Sequence, residues 1–198
     1  IAMPLILSID TSLEEAGICL SDEAHVIAVK KNGRQSDHAA WIHTAIKEML
    51  AEAGKTIAQL AAIAVSSGPG SYTGLRVGMA TAKGLCYALN IPLILENTLM
   101  LTAHHVKREI ATNSVYAFPV LICPMIDARR MEVYCCVYDS ELRPLELIEA
   151  LVVDEGSINK FKKYKGLSFF GNGMPKCKDL LMNEGGFDFI QDISPSAR

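Results

Sequence analysis

Three sets of residues in this chain could do chemistry: acids at strand ends, histidines and cysteines able to hold a metal, and a glycine-rich turn able to hold a phosphate. Asp10 closes the apolar run Leu5 to Ile9 and is followed by Thr11-Ser12. Sites in open α/β sheets gather at strand ends, so this carboxylate could carry a metal or an attacking water. Asp-Thr-Ser is equally the spelling of a plain turn. The five histidines are His25, His38, His43, His104 and His105, and no two have the i, i+4 spacing that puts two imidazoles on one metal. His38 and His43 splay on a helix, and His104 and His105 face different ways. The six cysteines, Cys19, Cys86, Cys123, Cys135, Cys136 and Cys177, form no CxxC pair and sit in apolar patterns, so they read as reduced, buried thiols. No serine lies in a GxSxG elbow.

The glycine turn is Gly68-Pro69-Gly70. It follows the strand pattern Ile63 to Ser67 and leads into a helical pattern reaching about Leu89, with Ser71 or Thr73 as the cap. A helix N-terminus attracts phosphate, but the spacing fits neither GxGxxG nor a Walker A loop. The alternative is a tight turn and a closely packed helix. Gly74, Gly78 and Ala82 recur every fourth residue as a smooth stripe. Glycine costs roughly 1 kcal/mol against alanine inside a helix, so the stripe implies a close approach of another backbone.

The positioning elements come in order. Leu5–Ile9, Gly17–Leu20 and Val26–Val29 read as an antiparallel meander. A helix runs from Gln35-Ser36-Asp37 to about Ala53, capped by Ser36 or Asp37. Its apolar arc is wide: Trp41 and Ala45 extend it beyond Ile42, Ile46 and Met49, so either there is a second contact surface or Trp41 lies flat on its own domain. Ile63–Ser67, the next helix and Pro92–Leu95 form a βαβ unit with parallel strands. A helix spans about Thr98 to Glu109. Polarity rises at Ala111–Ser114, which places a lobe boundary there: 1–110 and 111–198. The second half restarts the pattern, with Val120–Ile126 ending in Asp127, a hairpin partner at Val133–Val137, and a strand at Leu147–Val152. A short helix at Ser157–Lys163, the strand Leu167–Phe170, the turn Gly171-Asn172-Gly173 and a helix to about Met182 complete it. Strands ending in Asp10 and Asp127 suggest a duplicated lobe.

With 198 residues, half of them hydrophobic, the chain can bury a substantial core. No window reaches the roughly 18 apolar residues of a membrane span, and no basic stretch with a long apolar core opens the sequence; a cytoplasmic location is expected. Net charge is −3 and the pI about 6.0, which disfavours autonomous nucleic-acid binding. The basic cluster Lys160, Lys162, Lys163 and Lys165 around Phe161 and Tyr164 could touch RNA or be a solvated loop face.

ILSIDTS at 6–12, SSGPGSYTGLRVGMATAKGL at 66–85, IPLILENTLMLTA at 91–103 and CPMIDARRMEVYCCVYD at 123–139 together resemble the bacterial TsaB (YeaZ) family. GPGSYTGLR, with Arg76 at its end, is the specific signature. Related sequences also carry the older label glycoprotease. The resemblance implies an actin-like ATPase (ASKHA) fold of two RNase H-like lobes, the second lacking its last segment because the family runs on past Arg198. It implies a non-catalytic subunit in the synthesis of N6-threonylcarbamoyladenosine at tRNA position 37. The expected partners are a catalytic TsaD-type paralogue and a TsaE-type ATPase, with a homodimer when alone and tRNA met only through the complex. ATP and metal belong to the partner subunits, and this chain needs no cofactor of its own. The paralogue's two metal-binding histidines fall, by this resemblance, at Thr98 and Thr102, where hydroxyls are poor transition-metal ligands.

On this reading Trp41, Ala45 and Met49 of the first helix, with Gly74, Gly78 and Ala82 of the second, form the partner interface, two helices per subunit meeting two. The competing readings are an ATP-using enzyme of the same superfold and a metallopeptidase; the absence of a paired-histidine helix disfavours the latter.

Overall fold

The computed structural model describes residues 4–23, 25–33, 37–112, 121–182 and 186–190. The chain divides into two compact units, one up to Thr98 and one from Leu99. The division falls at the start of a helix, whereas the rise in polarity takes in that helix's last two residues, Ala111 and Thr112, and then Asn113 and Ser114, which lie outside the described residues. Polarity reports exposure, while compactness reports packing.

The first unit holds a five-stranded sheet. Strands β1 (Leu5–Asp10), β2 (Ala16–Asp22), β3 (His25–Asn32), β4 (Leu60–Ser66) and β5 (Leu93–Glu96) lie in the order β3-β2-β1-β4-β5. β1 pairs antiparallel with β2 and parallel with β4; β2–β3 is antiparallel and β4–β5 parallel. Leu5, Leu7 and Ile9 alternate inward along β1, which has a period of two. Helices α1 (His38–Glu52) and α2 (Tyr72–Leu89) share one core with the sheet, in which Ile42, Ile46, Met49 and Leu50 of α1 meet Ala82 and Cys86 of α2. Ser71 caps α2, its hydroxyl accepting from the Gly74 N–H at 3.3 Å, and Asn90 closes it in the left-handed conformation. At α1 the cap position is Asp37, whose side chain makes no capping bond; Gln35 and Ser36 lie outside the described residues. Lys30 of β3 clamps α1 by reaching both Glu48 (3.2 Å) and Glu52 (2.8 Å), one helical turn apart.

The second unit starts one residue into α3 (Thr98–Thr112) and repeats the sheet. Among the described residues, β6 (Leu121–Asp127), β7 (Glu132–Cys135), β8 (Tyr138–Asp139), β9 (Glu149–Val152), β10 (Leu167–Phe170) and β11 (Asp188–Phe189) give the order β11-β10-β6-β7-β9. Strand directions match the first unit pair for pair. β8 continues the β7 pairing onto β6 in the same register, so the predicted hairpin is present with a break at Cys136-Val137. The expected strand at 147–152 pairs only from Glu149; Leu147 is exposed. The short helix is α4 (Glu155–Ile158) followed by a 3-10 turn, and α5 (Met174–Met182) follows β10. Three phenylalanines, Phe161, Phe169 and Phe187, pack edge to face at 5.1 and 5.4 Å in this unit's core. All six cysteines are buried and none is in a disulfide. No helix among the described residues is long and apolar enough to cross a membrane.

The basic cluster is partly neutralised within its own unit. Glu146 receives Lys163 at 2.6 Å, Lys160 at 3.2 Å and the Tyr164 hydroxyl at 2.7 Å, while Lys160 also pairs with Glu149. Burial pushes the Glu146 carboxyl up, but the hydrogen bonds from Lys163, Tyr164 and Lys160 win and hold it at about 2, against an ordinary 4.5. A carboxyl depressed in the folded state adds stability that is complete above its unfolded pKa and is lost as pH falls through its folded one. The acid limb of unfolding should therefore steepen between pH 4.5 and 2. Glu146→Gln should flatten that window and lower Tm at neutral pH by several degrees, on the order of 1–2 kcal/mol; thermal melts across the window read both.

Candidate functional site

The end of β1 is where a site would sit in this fold, and the chain's own groups occupy it. One carboxylate oxygen of Asp10, Oδ1, accepts the Ser12 N–H (3.0 Å), the Ser12 hydroxyl (2.6 Å) and the Ser66 hydroxyl (2.8 Å). Asp10 thus ties the β1 turn to the end of β4, and the turn reading describes what it does here. Asp10→Ala should cost about 1–3 kcal/mol, because two hydroxyls and an N–H lose their acceptor; urea unfolding measures it, and an unchanged midpoint would contradict the assignment.

The glycine turn lies against this same strand end. Ser71 N–H donates to the Ser12 carbonyl at 2.7 Å, and the Thr11 hydroxyl donates to the Gly74 carbonyl at 2.7 Å. The Gly68 carbonyl accepts from the Asn97 amide (3.0 Å) and the Thr98 N–H (2.9 Å). A Cβ at Gly70 would lie 2.3 Å from the Ser12 carbonyl oxygen; one at Gly74 would lie 2.0 Å from that of Thr11, and one at Gly78 2.3 Å from the Thr11 hydroxyl. Pro69 is half-buried in the turn. These glycines exist so that α2 can press on β1, which is the tight-turn reading of the stretch.

The second unit repeats the device with different chemistry. Asp127, the last residue of β6, accepts the Arg129 N–H and the Lys176 ammonium, which also reaches the carbonyls of Arg130 (2.6 Å) and Glu132 (3.3 Å). Desolvation raises the Asp127 carboxyl, but Lys176 and the Arg129 N–H outweigh it and lower it below the usual aspartate value. Gly171 and Gly173 press on β6 much as Gly70 and Gly74 press on the Thr11-Ser12 turn that follows β1. A Cβ at Gly171 would lie 2.4 Å from the Met125 carbonyl oxygen, and one at Gly173 2.8 Å from the Ile126 carbonyl carbon. Lys176 lies 49 residues from Asp127, and no local pattern announces the pair.

Among the described residues no group of three or more His, Cys, Asp or Glu converges as a metal-binding set. His38 is buried and His43 exposed, the splay that their spacing dictates; His104 is exposed and His105 half-buried. Thr98 and Thr102 are both buried on α3.

The interface drawn from the sequence needs turning over. Ala45 is 2% exposed, and Met49 and Ala82 are fully buried in the first unit's own core. Gly74 and Gly78 face β1. Trp41 is half-buried against that core, which is the flat-lying alternative. A small-residue stripe looks the same in sequence whether it meets a strand of its own chain or another subunit. The outward stripes are others. Ala40, His43, Lys47 and Ala51 run along α1; Tyr72, Arg76, Ala80, Lys83 and Tyr87 run along α2. Tyr87 is 92% exposed, and the Arg76 guanidinium lies 3.9 Å over the Tyr72 ring. These side chains stay outside the core that the inner faces of α1 and α2 share with the sheet.

Comparison with known proteins gives these features a family. The sequence model of the family described as "TsaD: tRNA N6-adenosine threonylcarbamoyltransferase" matches residues 9–195. The tRNA threonylcarbamoyladenosine biosynthesis protein TsaB of Bacillus subtilis is 35% identical over 72% of this chain and 58% of its own length. The Escherichia coli TsaB is 32% identical over 69% of this chain and 55% of its own. The matched stretches thus span just over half the length of these relatives. The solved structure of YeaZ from Pseudomonas aeruginosa superposes with a TM-score of 0.65 at 27% identity, over 76% of this chain and 68% of that one. Two sheets of one strand order and this likeness make the fold that of the actin-like ATPases. The chain belongs to the TsaD family of tRNA N6-adenosine threonylcarbamoyltransferase proteins, and within it to the TsaB (YeaZ) group.

Proposed function

We propose that this chain is a non-catalytic subunit in the synthesis of N6-threonylcarbamoyladenosine at tRNA position 37, and that its work is to hold the catalytic TsaD-type paralogue. The observation that carries this is at the two strand ends. Asp10 is taken up by serine hydroxyls and Asp127 by a lysine, so each carboxylate is committed to its own turn. Thr98 and Thr102 stand where the resemblance puts the paralogue's metal histidines. The outer face of α1 and α2 carries the exposed aromatics, and that face is the docking surface. A TsaE-type ATPase joins the pair, tRNA is met through the complex, ATP and metal act in the partner subunits, and a homodimer forms when the chain is alone. The setting is the cytoplasm, where tRNA is modified.

The test is co-purification of the chain with the threonylcarbamoyltransferase encoded in the same genome. A stable complex is expected. Two proteins that elute separately at concentrations of about 100 μM, well above the dissociation constant of a working pair, would contradict the proposal.

A further inference from the structure

The outward face of α1 and α2 carries charge of one sign. From Tyr72 to Leu89, α2 contains no aspartate or glutamate, and both glutamates of α1 turn away to Lys30. Left on the outside are Lys47, Lys83 and Arg76, joined by the half-buried Lys55 just past the end of α1; among the described residues none of these four has an ion pair. Between the helices opens a cleft of about 330 Å³. Its lining combines an apolar part, Leu50, Ile57 and Leu85, with a polar part, His43, Lys47 and Lys55. This arrangement sits in a chain whose net charge is −3.

Resting on the reading that this face meets a protein, we infer that it selects a partner helix presenting an apolar side chain ringed by carboxylates, in preference to a second copy of itself. The apolar part of the lining takes a protruding aliphatic or aromatic side chain, which a phosphate backbone would not supply. The lysines meet the carboxylates around it. A two-fold homodimer brings the same patch onto itself, so its cations would face cations. Charge complementarity thus sets the choice of partner and the rate of encounter, while the apolar cleft supplies the anchor. The homodimer is the weaker species and gains as salt screens its repulsion.

The experiment titrates the chain against the threonylcarbamoyltransferase from the same genome by calorimetry, at about 50 and about 500 mM NaCl. It runs beside sedimentation equilibrium of the chain alone at both salts. Wild type, Lys47→Gln/Lys55→Gln and Lys47→Glu/Lys55→Glu are compared, with circular dichroism and thermal melts to confirm that these changes, one exposed and one half-buried, leave the fold intact. Partner affinity should fall about tenfold between the two salts, and about thirtyfold in the glutamate pair with the glutamine pair between. Self-association of wild type should hold or strengthen as salt rises. Partner binding indifferent to salt and to charge reversal would overturn the inference while leaving the proposed function standing. Wild type that never binds the transferase would remove both. Tight retention of tRNA by the chain alone, lost in the glutamate pair, would also overturn it and assign the face to nucleic acid.

Discussion

Gly74→Ala should destabilise the first unit by about 3 kcal/mol, although alanine is the better helix former by roughly 1 kcal/mol. The added methyl would stand 2.0 Å from the Thr11 carbonyl oxygen, with the Ser71 Cβ at 3.3 Å. A backbone oxygen at the end of a central strand cannot rotate aside as a side chain can. Relief has to come from lifting α2 off β1. That movement stretches the Thr11–Gly74 and Ser71–Ser12 hydrogen bonds, both 2.7 Å, each worth about 1 kcal/mol net. It also loosens the Asp10 turn that these bonds brace. Gly84 supplies the control, since nothing lies within 4 Å of a Cβ built there. Gly84→Ala should therefore stabilise by about 0.5–1 kcal/mol. Urea unfolding of both variants reads the difference in sign, and two shifts of the same sign would contradict the packing account.

On the proposed docking, Ala80→Glu should weaken association with the TsaD-type transferase at least about a hundredfold, close to 3 kcal/mol, while leaving the free chain's Tm within a degree or two. Ala80 is exposed in the middle of the outward stripe of α2, between Arg76 and Lys83, so glutamate there is harmless in the isolated chain. In a helix-to-helix contact it would bury a charge and set it against a partner face that the cationic outer face is built to attract. A substitution at Ala45, the residue that the sequence alone nominated, cannot make this test. Its side chain is 2% exposed, and a charge there would strike the chain's own core. Isothermal titration with Ala80→Glu, read beside its melt, separates docking from folding.

Much of the fold was legible because it is written locally. The alternation of Leu5, Leu7 and Ile9 announces a half-buried strand, Ser71 before an apolar helix announces a cap, and Gly68-Pro69-Gly70 announces a turn. The duplication showed in the acids that end β1 and β6. What stayed hidden depends on partners far apart in sequence. Which side of α2 faces inward is decided by Thr11, 63 residues before Gly74. The charge that quiets Asp127 comes from Lys176. β11 has two residues in the pairing and no pattern of its own; it exists because β10 offers it a parallel edge. The wide apolar arc of α1 could not be divided between core and surface until the sheet beneath it was in place. The cationic outer face was invisible for a related reason: Glu48 and Glu52 look able to balance Lys47 until Lys30 of β3 claims them both.

The central claim is that this chain supports a catalyst without being one. It is tested most directly by threonylcarbamoyl transfer onto unmodified tRNA, assayed with the purified chain alone, with its paralogous transferase alone, and with the two together. The account predicts no product from the chain alone and a large rise when the chain is added to the transferase, abolished by Ala80→Glu. Modified tRNA formed by the chain by itself, or a transferase whose activity is the same with and without it, would contradict the account.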